Sequence, residues 1–156
     1  MNRIFTIIAL CLTTAANADW SVTKSELGMT TATLHGQIGI NDRNVPEADL
    51  YVLNSPGGSV VAGYDIAKKL KNRPVTYIMA GSAASWIALA TKAQPQNNTS
   101  VLGFHWTAYP DGFTITPRAA AYLVAANAKI VAQIKEHYAP SVAAEILSRM
   151  EAIEGK

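Results

Sequence analysis

Three short motifs carry the residues whose types and spacing could do chemistry. They are Asn54-Ser55-Pro56-Gly57-Gly58-Ser59, Gly81-Ser82-Ala83-Ala84-Ser85-Trp86 and Gly103-Phe104-His105-Trp106. Ser85 has small neighbours, so a substrate carbonyl can approach its hydroxyl. A serine is a poor nucleophile until a base takes its proton, and His105 is the histidine placed at the end of a predicted sheet strand. The combination predicts acyl transfer, with Ser85 as the nucleophile and His105 as the base.

The same motifs offer main-chain donors for the negative charge that develops on the attacked carbonyl oxygen. Such an oxyanion is stabilised by N–H groups aimed at it. Gly58 can supply one of them, because glycine tolerates the backbone conformation that such a turn requires. The N–H of Trp86 directly follows the nucleophile at the positive end of a predicted helix, so it can supply the second.

The motifs share a position relative to the predicted secondary structure. Each follows a run that is typical of a β-strand: Leu50–Leu53, Val75–Ala80 and Val101–Phe104. The first two also precede helical patterns, at Val61–Lys71 and Ala84–Lys92. Strands that alternate with helices predict an α/β fold with two βαβ units and a parallel sheet. The candidate residues then lie at the carboxyl ends of strands, where open α/β folds bind ligands.

In order and spacing, these motifs resemble the proteolytic subunits of the Clp protease and, more broadly, the ClpP/crotonase superfamily, which includes signal peptide peptidase relatives. The resemblance extends over about residues 50–138. It implies a ClpP/crotonase-like fold with a mainly parallel sheet and a long C-terminal helix. It also implies a serine peptidase in which Ser85 attacks, His105 acts as the base, and Gly58 and Trp86 hold the oxyanion.

Two stretches depart from the family pattern. Only residues 41–49 separate a predicted strand at Thr31–Ile40 from the next strand, whereas the relatives place a helix there. A parallel crossover usually takes about a dozen residues or more, so either the crossover is irregular or the first strand pairs differently. The second departure is the acid of the catalytic triad. By position it falls near Glu151 or Glu154, but no motif identifies it.

The C-terminal third of the sequence predicts two helices. Thr116 and Pro117 suit the start of a long helix that runs to about Tyr138, because proline is favoured at the first helical position. A shorter helix is predicted at Val142–Ile153. In the resembled peptidases the long helix is the handle through which rings stack, so it implies a homo-oligomer here. A helix that only packs in the core is the alternative.

The first 18 residues have the pattern of a secretory signal peptide. Arg3 supplies the positive charge, Ile4–Leu12 the apolar segment and Ala16-Asn17-Ala18 the cleavage site. The apolar run is far shorter than the roughly 20 residues that span a bilayer. We therefore expect export to the periplasm or the medium, with residues 19–156 as a single domain. Cys11 is the only cysteine, so the exported chain would contain no disulfide.

The charge of the chain and its expected compartment limit the classes of molecule that it could bind. The formal net charge is +2, and the basic cluster at residues 68–73 suits the C-terminal end of a predicted helix better than a nucleic-acid surface. No metal or other cofactor is expected. Because ATP is not supplied outside the cytoplasm, we expect peptides or unfolded proteins as substrates and no ATPase partner.

Two other interpretations stay open. Signal peptide peptidase relatives use a lysine as the base, and Lys92, Lys129 and Lys135 are available for that role. The other interpretation is a catalytically degenerate relative that serves as a binding or assembly module. The short crossover and the lack of a motif that identifies the triad acid support that interpretation.

Overall fold

The computed structural model describes residues 18–106 and 116–154. They divide into two compact units, Met1–Gly103 and Phe104–Lys156. The candidate nucleophile and oxyanion donors belong to the first unit, and His105 belongs to the second.

The first unit is a mixed sheet of mostly parallel strands with two helices. Its elements in chain order are β1 (Asp19–Lys24), β2 (Thr30–Ile38), a 3-10 helix (Ile40–Arg43), β3 (Leu50–Gly58), α1 (Val60–Lys69), β4 (Val75–Gly81), α2 (Ala83–Thr91), β5 (Gln94–Pro95) and β6 (Val101–Gly103). The strand order is β1-β2-β3-β4-β5, and β6 also pairs with β4. All pairings are parallel except that of β1 with β2. The α/β class and the two predicted βαβ units are thereby confirmed.

The sheet is held by neighbouring apolar residues on one face. Leu34, Leu53 and Tyr77 are paired in register across β2, β3 and β4, and all three are buried. Ile66 of α1 and Ile87 of α2 are completely buried as well. Burial of side chains of this size contributes roughly 1.5–3 kcal/mol each. This layer therefore stabilises the packing of α1 and α2 on β2, β3 and β4.

The short crossover between β2 and β3 is irregular and parallel. Its 3-10 helix is fastened by contacts with distant parts of the chain, because an irregular segment must satisfy its polar groups without a regular ladder. The indole Nε1–H of Trp20 donates to the Asp42 carbonyl at 2.8 Å. The Lys69 ammonium donates to the Arg43 carbonyl at 2.6 Å. The Tyr51 hydroxyl donates to the Pro46 carbonyl at 3.0 Å. The open question about the first predicted strand is thus settled in favour of an irregular crossover.

The second unit contains a pair of helices, α3 (Pro117–His137) and α4 (Pro140–Glu154). Both helices bury residues at helical spacing: Ala126, Ile130 and Ile134 on α3, and Ala143, Ile146 and Met150 on α4. The two predicted C-terminal helices are therefore confirmed, with ends shifted by one or two residues. None of the helices in the described part of the chain is long and apolar enough to cross a bilayer.

Candidate active site

The candidate site is built on the sharp turn between β4 and α2. Ser82 precedes the first residue of α2 and has φ 50° and ψ −121°. Its N–H donates to the Gly103 carbonyl of β6 at 3.1 Å. Residues with positive φ other than glycine are uncommon, and this pair of angles lies outside the left-handed helical region. The turn therefore holds its main chain in a strained conformation.

Ser85, the predicted nucleophile, lies in the first turn of α2 and is completely buried. Its hydroxyl donates to the Ser82 carbonyl at 2.6 Å, and its N–H donates to the same carbonyl at 3.0 Å. In this conformation the hydroxyl is not presented to solvent. For Ser85 to attack a substrate, its side chain must rotate away from Ser82.

Those two bonds also bear on Trp86, the predicted oxyanion donor next to Ser85. In an α-helix the carbonyl before the first helical residue accepts the N–H of the fourth helical residue. In α1 this bond joins Gly63 to Ser59 at 2.9 Å. In α2 the corresponding carbonyl, that of Ser82, already accepts two donors of Ser85. A carbonyl has two lone pairs, so the Trp86 N–H shares this acceptor with the two donors of Ser85.

The Gly57-Gly58 turn lies against the start of α2. A Cβ added to Gly57 would lie 2.5 Å from the Ser82 Cβ and 2.8 Å from the Ala83 nitrogen. The buried Ser55 fixes this turn, because its hydroxyl donates to the Gly36 carbonyl at 2.6 Å and accepts the Gly57 N–H at 3.0 Å. The turn and the α2 start therefore form one packed edge.

Gly58, the other predicted oxyanion donor, pairs with Ile38 of β2. The Ile38 carbonyl accepts the N–H of Ser59 at 2.8 Å, not that of Gly58. In a parallel ladder a residue bonds to the two neighbours of its partner, so the Gly58 N–H points away from β2. Gly58 also has φ 141°, where an L-residue is strained. Its geometry is compatible with the predicted role.

His105 follows β6 and is exposed. Its Nδ1 lies 2.6 Å from the Trp106 carbonyl, which is compatible with an Nδ1–H donor. That tautomer leaves Nε2 as the acceptor that a general base needs. The pairing of His105 with Ser85 stays a prediction.

The alternative bases and the triad acid stay predictions. Lys92 ends α2, seven positions after Ser85, so the two Cα atoms lie about 10 Å apart along the helix axis. Lys129 and Lys135 are exposed on α3, and Glu151 is exposed on α4. The side chain of Glu154 lies outside the described residues. In the described part of the chain, no cluster of three or more histidine, cysteine or carboxylate side chains could hold a metal ion.

A cavity of about 520 Å³ lies beside this edge of the sheet. Its wall includes Gly39, Ile40 and Asp42, the residues that directly follow Ile38, and the Trp20 ring closes another side. Cavities of this size hold small ligands or a few side chains. The candidate residues Gly58, Ser82 and Ser85 are not among the residues that line this cavity.

The sequence motifs include Ser82 and Ser55 but do not indicate what either residue does. The strained backbone of Ser82 has no signal in the sequence, because serine is not a residue that normally marks positive φ. Ser55 also drew no attention, since its bonds join β3 to a bulge in β2 that the sequence does not reveal. Outside the site, burial raises the pKa of the Tyr77 hydroxyl on β4.

Neither a protein-family model nor a curated protein matches the chain. A functional assignment therefore depends on the residues and the geometry of this edge.

Proposed function

We propose that this protein is a ClpP-like serine peptidase that hydrolyses peptide bonds at the carboxyl edge of its sheet. One observation carries the proposal. The Gly57-Gly58 turn packs directly on the start of α2, which brings a candidate oxyanion donor next to the helix that bears Ser85 and Trp86. Preorganised N–H donors of this kind are the largest single contribution to catalysis in many acyl-transfer enzymes.

The proposed reaction follows from the roles of these residues. The Ser85 hydroxyl rotates off the Ser82 carbonyl and attacks the substrate carbonyl carbon, while His105 accepts its proton. The N–H groups of Gly58 and Trp86 stabilise the oxyanion. His105 then gives the proton to the leaving amine, and water hydrolyses the acyl-enzyme ester with the same base.

We propose that the protein works outside the cytoplasm. The signal-peptide pattern of residues 1–18 supports export, and an exported chain would work without an ATPase on peptides or unfolded proteins. Val124 of α3 is 71% exposed, which is compatible with self-association through this helix. The ClpP-like arrangement of the fold belongs to the same proposal.

A second candidate function is a catalytically degenerate binding or assembly module. The observation that favours it is the complete burial of Ser85, whose hydroxyl is bonded to a main-chain carbonyl. A serine–lysine peptidase is less well supported, because Lys92 lies at the opposite end of α2 from Ser85.

A fluorophosphonate probe tests the proposal, because it reacts only with an activated serine. The exported chain should be labelled on a serine of the α2 start and should hydrolyse unfolded casein. His105→Ala should lower the labelling rate by about 100-fold, as expected for loss of a general base. His35→Ala is the matched control and should label like the parent. If the parent never labels, the module interpretation replaces the peptidase.

A further inference from the structure

We propose that Ser82 is a second nucleophilic serine of this site, which takes the acyl group in molecules whose Ser85 hydroxyl has not rotated off the Ser82 carbonyl. The inference rests on the proposed peptidase function and deepens it. Three observations support it: the availability of the hydroxyl, its place beside the oxyanion donor, and the backbone of the turn.

The hydroxyls of Ser82 and Ser85 differ in burial and in hydrogen bonding. Ser85 is completely buried, and its Oγ donates a 2.6 Å bond. Ser82 is half-buried, and its side chain does not cap α2. Among the described residues, the Ser82 hydroxyl has no hydrogen-bond partner, whereas the serine that starts α1, Ser59, accepts the Ala62 N–H at 3.3 Å. Ser82 is therefore the serine whose hydroxyl a substrate meets without a prior side-chain rotation.

The place of the Ser82 side chain fits a reaction at the oxyanion donors. Its Cβ lies directly over Gly57, where an added Cβ would be only 2.5 Å away. Gly57 is the residue before Gly58, whose N–H points away from β2. A carbonyl group bound to the Gly58 N–H would thus lie beside the Ser82 hydroxyl.

The backbone of Ser82 differs from that of the other residues with positive φ. Asn72 and Lys92 have φ 65° and 55° and follow the ends of α1 and α2, where left-handed residues are common. Ser82 stands instead between a strand and the start of a helix, with ψ −121°. A strained strand-to-helix turn exposes the nucleophilic serine in the α/β-hydrolases, and strained residues cluster at functional sites.

The covalent step is balanced within the proposed mechanism. The Ser82 Oγ forms a bond to the substrate carbonyl carbon, its proton passes to the base proposed above, and the peptide C–N bond breaks. The proton goes to the leaving amine, and water releases the acyl group as a carboxylate. With a fluorophosphonate, the P–O bond forms and fluoride leaves.

Peptide mass spectrometry of the labelled full chain tests the inference. An adduct should map to Ser82 in the parent, and the adduct on this residue should persist in Ser85→Ala and be absent from Ser82→Ala. Ser59→Ala removes another helix-start serine and should label like the parent. Ser82→Gly relieves the backbone strain but also lacks the hydroxyl, so it should lose this adduct as Ser82→Ala does. A purely structural role predicts that Ser82→Gly labels normally.

The possible outcomes separate the two proposals. An adduct on Ser85 alone, with Ser82→Ala as fast as the parent, would overturn the role of Ser82 and leave the peptidase proposal intact. A parent that never labels would overturn both.

Thiol accessibility gives a second readout that does not depend on catalysis. In a Cys11→Ser background the introduced thiol is the only one, since the chain has a single cysteine. Ser82→Cys should react with iodoacetamide about tenfold faster than Ser85→Cys, because a buried thiol is protected. Equal rates, or a faster reaction at position 85, would contradict the inference.

Discussion

Gly57 and Ser82 face each other so closely that a Cβ on the glycine would lie 2.5 Å from the Cβ of the serine. The contact joins the turn after β3 to the turn after β4. Gly57 also has φ 104°, so it meets a steric and a conformational requirement that only glycine satisfies.

We therefore predict that Gly57→Ala destabilises the fold. Overpacking and a strained backbone each cost about 1–3 kcal/mol, and the effect should appear as a lower free energy of unfolding in urea. Gly103→Ala is the control, because the nearest atom to its added Cβ is 3.9 Å away. A Gly57→Ala protein as stable as the Gly103→Ala protein would contradict the described packing.

Gly58 is packed as closely as Gly57. A Cβ on Gly58 would lie 2.8 Å from the Ile38 nitrogen, so Gly58→Ala should unfold part of the edge as well as disturb the N–H. Urea unfolding of Gly58→Ala should therefore show a lower free energy of unfolding than that of the parent.

Asp49 should make stability depend on pH at the β1–β2 hairpin. The Thr30 N–H and the Thr30 hydroxyl donate to its carboxylate at 2.7 and 2.8 Å, and these bonds lower the pKa of Asp49 below its ordinary value of 3.8. A carboxyl with a depressed folded-state pKa stabilises the fold above its unfolded pKa and loses that contribution as the pH falls through the folded value.

We predict that the parent is more stable than Asp49→Asn at pH 7 and that this difference shrinks below pH 3.8. Urea unfolding of both proteins between pH 7 and 2.5 would measure it. Glu26→Gln removes an exposed carboxylate of the same hairpin and serves as the control. A difference that stays constant with pH would show that the charge of Asp49 is not involved.

The bond between Trp20 and the Asp42 carbonyl should stabilise the crossover. Trp20→Phe keeps an aromatic ring against Tyr51, whose ring centroid is 6.1 Å away, but removes the N–H donor. The expected loss is about 1 kcal/mol of unfolding free energy, and Trp20→Ala should lose more. Ser21→Ala, on the exposed strand β1, is the control. An unchanged stability in Trp20→Phe would mean that the crossover does not depend on this bond.

Export predicts a defined N-terminus. Cleavage after Ala18 would leave β1 complete, since it begins at Asp19. Among the described residues it would remove the buried Ala18 and the 2.6 Å bond from its N–H to the Gln37 carbonyl. N-terminal sequencing of the protein from the extracytoplasmic fraction should therefore begin at Asp19. Ile8→Arg places a charge in the apolar segment and should block export. Intact residues 1–18 on a cytoplasmic parent protein would refute the prediction.

The sequence by itself determined the order of the main elements and the α/β class. The apolar runs of β3 and β4 and the helical patterns of α1 to α4 are local signals, so their existence is readable without tertiary information. Strand β1 was not predicted, because five of its six residues are exposed and it lacks an alternating pattern. It becomes a strand through its ladder with β2.

Only the tertiary structure decided how the crossover closes and which serine is available. The crossover depends on bonds between residues far apart in the chain, such as Trp20 with Asp42 and Lys69 with Arg43. The motif marks Ser85 as the candidate nucleophile. In the folded chain, however, the Ser85 hydroxyl is bonded to the Ser82 carbonyl. The Ser82 hydroxyl does not cap α2 and has no partner among the described residues. Hydrogen bonding and burial are properties of the packed chain, and a motif specifies residue types without specifying which hydroxyl is engaged.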